Sequence, residues 1–338
     1  MTKMRFRQAV VAALADEMKS DPSVVLLGED VAAAGGPFKT SEGLLEEFGP
    51  LRVRDTPISE MGFLGAAVGA SALGLRPVVE IMFMEFLGVA LDQLVTEAAT
   101  FRYLSNGQVN CPLVVRASVG SGLGFGAQHS QTLENWVCST PGLKVAVPSD
   151  AQSAYGLLRS AIRDPDPVVI LEPRVLYSSR EEVQLGEAGI IALGQARVVQ
   201  PGADVTVVTL GQTTGVARKA AAACDHELEI IDLLTLTPWD TALVLESVRK
   251  TGRLVTVEES PHAGGWGSQI VATVCEQAFG SLKAPPVRIT APNVPVPYAK
   301  ELEARYLPTA DEVRFQVGEL VRSARAAQPW WEREGIHT

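Results

Sequence analysis

The sequence has no run of about 20 apolar residues free of charge, so it offers no membrane-spanning helix. It has no G-K-[ST], which excludes a phosphate-binding P-loop, and no G-x-S-x-G, which leaves a hydrolase elbow unsupported. Cysteine is scarce: Cys111, Cys138, Cys224 and Cys275 are the only four, and none forms a C-x-x-C pair. They read as reduced core thiols rather than metal ligands or a disulfide framework. Histidine is equally scarce, with four residues, and no second His or Cys stands at ligand spacing from His129. Positive charge is in deficit, 29 Lys and Arg against 39 Asp and Glu. The resulting net charge of −10 repels phosphate backbones and argues against a nucleic-acid partner. The N-terminal stretch is short of the apolar length of a signal peptide. Its Phe6, Val10, Ala13, Leu14 and Met18 fall at helical spacing instead. The expected setting is intracellular and cytoplasmic.

What is present is enough apolar material for two packed cores: 338 residues, 46% of them hydrophobic. Strand-like segments "VVLLG" (24–28), "LRVRDT" (51–56), "RPVVEIMF" (76–83), "PLVVRASV" (112–119), "LKVAVP" (143–148) and "PVVILE" (167–172) alternate with helical patterns. The helices are expected near 5–20, 40–48, 60–74, 86–104 and 151–163. These strands are almost continuously apolar, as parallel strands covered on both faces tend to be. A second, smaller series of four or five strands begins at "DVTVVTLG" (204–211). The pattern predicts an α/β fold of two doubly wound domains. The expected division is 1–185, a connection at 186–203 with short antiparallel strands, a second domain at 204–325, and an exposed tail at 326–338 carrying Trp330 and Trp331.

Several residues stand out chemically. In "TPISEMGF" (56–63), Ser59 stands where a helix N-cap belongs and Glu60 falls in the first turn. Glu60 then either favours the positive helix end or is buried to share a proton with a ligand nitrogen. In "ASVGSGLGFGAQHSQ" (117–131) four glycines alternate, at 120, 122, 124 and 126. Such density lets a backbone approach a ligand closely, but as a dinucleotide fingerprint the segment is weak, because no helix-forming run follows at once. His129 closes that segment, either as a solvated loop histidine or as a proton donor and acceptor near neutral pH. Glu29 and Asp30 end the first strand, where ligand crevices of α/β sheets open. "EES" (258–260), followed by "HAGGWGSQI", reads as packing or an interface turn.

Taken in order, "LLGEDV" (26–31), "RDTPISEMGFLGAAVGAS" (54–71), "FLGVALDQ" (86–93), "AQHSQ" (127–131), "PGLKVAVPS" (141–149) and "PVPYAKELE" (295–303) follow one pattern. Over residues 4–320 the chain resembles the β subunit of the thiamine-diphosphate-dependent first component, E1, of 2-oxo acid dehydrogenase complexes. That family includes the pyruvate, branched-chain 2-oxo acid and acetoin dehydrogenases.

The resemblance implies a transketolase-like pyrimidine-binding domain followed by a transketolase C-terminal-like domain. It implies that Glu60 hydrogen-bonds the aminopyrimidine N1′ of thiamine diphosphate and so promotes loss of the thiazolium C2 proton. It implies that His129 handles protons on the reacting substrate and helps acyl transfer to a lipoyl arm. Ile58, Met82 and Phe86 match positions lining the pyrimidine pocket, and Glu29 matches an acid near the cofactor. No G-D-G occurs, so Mg2+ and the diphosphate are expected on a partner α subunit, giving an α2β2 heterotetramer that serves a lipoyl-bearing acyltransferase core. Potassium is expected through the main chain of Leu113, Ala161, Ile162 and Asp164, although Pro165 is an extra proline in the corresponding "AIRDPDP". Val89 replaces a glutamine that some pyruvate-type members carry. The segment "MFMEFLGVALDQ" (82–93) is closer to the acetoin and small-substrate branch than to the branched-chain one. Two other readings compete: a nucleotide- or flavin-binding electron-transfer subunit resting on the four glycines, and an assembly subunit without catalysis.

Overall fold

The structure, a computed structural model, describes residues 1–335. It contains two compact units. The first comprises Met1–Val119, Trp136–Leu193 and Leu236–Pro238. The second comprises Gly120–Asn135, Gly194–Thr235 and everything described from Trp239 on.

The strands of the first series are β1 Thr2–Arg5, β2 Val24–Gly28, β3 Val53–Asp55, β4 Arg76–Ile81, β5 Val114–Val119, β6 Lys144–Ala146, β7 Val168–Pro173 and β8 Arg180–Val183. Those of the second series are β9 Arg197–Gln200, β10 Val205–Thr209, β11 Leu228–Asp232, β12 Thr235–Thr237, β13 Leu254–Pro261 and β14 Val287–Ala291.

The first unit is built on a seven-stranded sheet in the order β12-β6-β7-β5-β4-β2-β3. Strands β2 to β7 pair in parallel, with Gly28 opposite both Asp55 and Glu80. Every residue of β5 and of β7 is buried, which is why the sequence there shows no alternation of apolar and polar positions. The helix Phe6–Ser20 lays its expected face, Phe6, Val10, Ala13, Leu14 and Met18, into the core. Burial stabilises by roughly 1.5–3 kcal/mol for each of the larger side chains. Beside them the buried Glu17 is paired with Arg159 at 2.6 Å and Arg163 at 2.9 Å. A two-stranded antiparallel ribbon of β1 and β8 completes the unit; its first strand was not legible among the polar residues "TKMR".

The second unit carries a five-stranded sheet, β14-β13-β10-β11-β9, parallel except for β9, which runs antiparallel to β11 at the edge. Val205, Val207, Leu228, Ile230, Val255, Val257 and Ile289 form its core with Val313, Val317 and Leu320.

Three expectations are corrected. The single helix over 86–104 is broken into a 3-10 turn Met84–Phe86, helix Leu87–Asp92, a π-helical turn Gln93–Ala98 and helix Phe101–Leu104. The Thr100 hydroxyl donates to the carbonyls of Thr96 and Glu97, competing with backbone amides for the helical ladder. Ser59 occupies the N-cap position of the helix Glu60–Ala72, but its hydroxyl makes no capping bond. The tail tryptophans are buried, not exposed: Trp330 and Trp331 open a short helix and pack edge to face. Arg333 locks that helix down through an ion pair with Glu312 and a position 4.2 Å over the Phe315 ring. The last residues of the tail, Ile336–Thr338, lie outside the described residues.

Candidate active site

In the first unit the carboxyl ends of β2, β3 and β4 lie side by side. The segments leaving them carry Glu29, Thr56 to Glu60, and Met82 to Phe86. A crevice at the carboxyl ends of parallel strands is where open α/β sheets bind ligands. The Thr56 N–H donates to the Gly28 carbonyl at 2.9 Å and fixes the two chain exits together. Asp55 accepts the Ala32 N–H at 2.7 Å and ties down the next loop.

Glu60 opens its helix with only 8% of its surface exposed, and no hydrogen bond to its carboxylate occurs among the described residues. Glu29 is half-buried beside it. Burial, then the charges of Glu60 and Asp30, push the Glu29 carboxyl above the ordinary glutamate range. Its Oε1 and the Thr56 Oγ1 are buried without a hydrogen-bond partner. Two buried polar atoms, Glu29 Oε1 and Thr56 Oγ1, thus have unmet hydrogen-bonding capacity near the strand ends that carry Glu60, which a protein alone rarely leaves. A polar ring with nitrogen donors and acceptors fits that set, and an aminopyrimidine is such a ring. Thr56 went unnoticed in the sequence, because a threonine after a strand carries no signal of its own.

The other pocket candidates flank this crevice. Met82 and Phe86 are half-buried. The Met82 carbonyl accepts from the Ser118 hydroxyl at 2.5 Å, and Phe86 packs edge-on to Phe83 with ring centres 5.6 Å apart. Phe83 in turn meets Phe38 and carries the Arg174 guanidinium 5.0 Å over its ring. Ile58, the remaining pocket candidate, is 85% exposed.

His129 belongs to the second unit, on the loop Gly120–Asn135. It is half-buried, and its N–H donates to the Gly126 carbonyl at 3.3 Å. The four alternating glycines all adopt left-handed backbone, with φ of 98, 103, 75 and 71°. The N–H groups of Gly122 and Gly124 donate to the two oxygens of Glu303, at 2.8 and 2.9 Å. Glu259 accepts the N–H and the hydroxyl of Ser121 at 2.6 and 3.0 Å. The amides that a nucleotide phosphate would need are therefore engaged by the protein's own carboxylates, which removes the dinucleotide reading of this loop. "EES" is more than packing: Glu258 is forked by Arg288 at 2.8 and 2.9 Å, but Glu259 serves the loop. Nearby Glu134 is buried, and burial first, then Glu259 and Glu258, raise its carboxyl to about 8.

No group of three or more His, Cys, Asp or Glu suited to a metal occurs among the described residues. Each carbonyl expected to hold potassium accepts a hydrogen bond within the protein. Leu113 accepts from the Val168 N–H, Ala161 from the Asp164 N–H, and Ile162 and Asp164 from Arg76 Nη1 at 2.8 and 3.2 Å. No helix among the described residues is long and apolar enough to cross a membrane.

Residues 2–179 match the model of the transketolase pyrimidine-binding domain, and residues 194–313 that of the transketolase C-terminal domain. The chain is 44% identical over 331 residues to the pyruvate dehydrogenase E1 component subunit beta-2, mitochondrial, of Oryza sativa subsp. japonica, covering 96% of this chain and 86% of that one. It belongs to the E1 β-subunit family. Within that family it is also 43% identical over 324 residues to the acetoin:2,6-dichlorophenolindophenol oxidoreductase subunit beta of Cupriavidus necator, covering 92% and 95% of the two chains. Among solved structures, a split-gene transketolase described as an inactive β4 tetramer superimposes with a TM-score of 0.76 at 26% identity, covering 94% of this chain and 98% of that one. The E1 β fold of two α/β domains is thus the architecture of this chain, and the family reading displaces the electron-transfer alternative.

Proposed function

We propose that this chain is the β half of a thiamine-diphosphate-dependent E1 component, acting with an α subunit as an α2β2 heterotetramer on pyruvate or acetoin. The observation that carries the reading is the Glu60 carboxylate, buried, without a hydrogen bond among the described residues, and flanked by the unpartnered Glu29 Oε1 and Thr56 Oγ1 in a chain of this family. Bound there, thiamine diphosphate would supply the electron sink for cleaving the bond beside a carbonyl carbon.

The chain's own residues would do the rest. Glu60, largely buried, would share a proton between its carboxylate and the ring nitrogen N1′. Glu29 stands beside Glu60, its carboxyl raised first by burial and then by the charges of Glu60 and Asp30. Phe86 and Met82 supply apolar surface for the ring. His129 passes a proton to or from the substrate oxygen and assists acyl transfer to a lipoyl arm on the acyltransferase core. Mg2+ and the diphosphate would be held by the α subunit, since this chain has no G-D-G segment. Potassium enters the proposal only through the second lone pair of the carbonyls of Leu113, Ala161, Ile162 and Asp164. A melting temperature that rises with K+ but not with Na+ supports that part, and indifference to K+ removes it.

The decisive experiment is reconstituted turnover. The chain is combined with its α subunit, Mg2+ and thiamine diphosphate, and reduction of an artificial acceptor is followed with pyruvate, acetoin and 3-methyl-2-oxobutanoate. Turnover that requires both subunits and drops by at least about 100-fold in Glu60→Gln supports the reading. An intact heterotetramer inert toward all three substrates would leave the assembly-subunit alternative standing.

A further inference from the structure

The alternating glycines of the His129 loop meet carboxylates of their own unit. Glu303 is 3% exposed, and each of its oxygens takes one loop amide, from Gly122 and from Gly124. Left-handed backbone at alternate residues turns successive N–H groups into one concavity, a nest that binds an anion. At Gly122, where φ is 103°, a side chain would be strained, so glycine there is what makes the nest. One residue earlier, Glu259 closes on Ser121, and its second oxygen is held by Gln212.

The loop is thus gripped through its backbone. Leu123 remains 52% exposed, so its side chain is not what holds the loop. Burying a carboxylate is costly unless its bonds are made. A surface connection needs no such arrangement, because water satisfies its amides. The cost is understandable where the loop must stand in one place.

We propose that Glu303 is the positioning residue of the His129 loop: its carboxylate fills the Gly122–Gly124 nest and fixes where the imidazole stands, with Glu259 securing the loop entrance. This rests on the reading of His129 as an active-site group. Its action is indirect, through the loop.

The test uses the full heterotetramer with thiamine diphosphate and Mg2+, comparing wild type, Glu303→Ala, Glu303→Gln, His129→Ala and the double variant Glu303→Ala/His129→Ala. Misplacing a reacting group by about 1 Å costs on the order of 100-fold, so Glu303→Ala should lower kcat about 30- to 100-fold with KM within about threefold. Glu303→Gln, which keeps one acceptor oxygen, should recover part of the loss. The double variant should turn over no more slowly than His129→Ala alone, because both changes remove the same contribution. A general structural defect would multiply the two losses instead, and that outcome overturns the proposal. So does a Glu303→Ala enzyme within about twofold of wild type beside a crippled His129→Ala, which leaves the His129 reading intact. Full turnover in His129→Ala removes the reading itself and the proposal with it. If Glu303→Ala does not assemble, amide exchange in Glu303→Gln decides. At least one of Gly122 and Gly124 should exchange at least about tenfold faster than in wild type while the sheet amides do not change, and unaltered exchange at both glycines overturns the proposal.

Discussion

Arg116 grips Glu172 with two parallel hydrogen bonds, Nε to Oε1 at 2.7 Å and Nη2 to Oε2 at 2.9 Å, both side chains fully enclosed. Its third nitrogen reaches Glu80 at 2.7 Å, and Tyr177 donates to Glu172 at 2.8 Å. One cation thus sits between carboxylates on the two neighbouring strands, β4 and β7. Burial pushes the Glu80 carboxyl up and Arg116 pulls it back down, while Thr40 adds a hydroxyl at 3.1 Å. The network braces β4 two residues before Met82.

Arg116→Met should therefore be severe. Removing the cation leaves two carboxylates unpaired in the sheet, a loss of about 3–5 kcal/mol. Arg116→Lys keeps the charge but not the fork and should cost less. Urea unfolding of the free chain checks both; a methionine variant as stable as wild type would show that the network contributes nothing to stability.

Thr56→Val should act in opposite directions on fold and site. Its buried hydroxyl has no partner, so an isosteric apolar replacement should stabilise the free chain by about 1 kcal/mol. If that hydroxyl faces the cofactor, the heterotetramer should bind thiamine diphosphate about 5- to 10-fold more weakly, the value of one lost hydrogen bond. Calorimetry of the free chain and titration of the complex measure the two effects separately.

Glu134 sets a pH dependence. Its native carboxyl titrates near 8 against an ordinary value of 4.5, so between these values the native state keeps a proton that the unfolded state has released. Its contribution is complete below pH 4.5 and is lost as the pH climbs to 8, at up to about 1.4 kcal/mol per unit. The groups facing it are Glu259, Glu258 and Tyr306. Glu134→Gln should flatten the stability curve between pH 5 and 8, as denaturation at three pH values in that window will show.

Trp330→Ala should cost about 3–5 kcal/mol, as expected for deleting a buried tryptophan. A loss below about 1 kcal/mol would mean that the closing helix does not belong to the core of the second unit.

The sheets were legible because parallel strands buried on both faces, such as 114–119 and 168–173, are apolar throughout. The ribbon strand Thr2–Arg5 and the break inside 86–104 were not, since their causes are pairing with a distant strand and a local hydroxyl bond. Two tryptophans near the end of a polar tail carry no mark of burial. Trp331 meets the His262 ring, centres 5.9 Å apart, a contact that only packing sets.

Local pattern and motif determined the α/β class, the two-domain plan, the family, and Glu60 and His129 as residues to watch, because periodicity and spacing are properties of the chain itself. Only the tertiary structure decided that Glu29 and Thr56 carry buried atoms with unmet bonds beside Glu60, and that the Gly122 and Gly124 amides of the His129 loop donate to Glu303. Those facts depend on which carboxylates the fold brings within 3 Å of which amides, across separations of about 180 residues that no local pattern encodes.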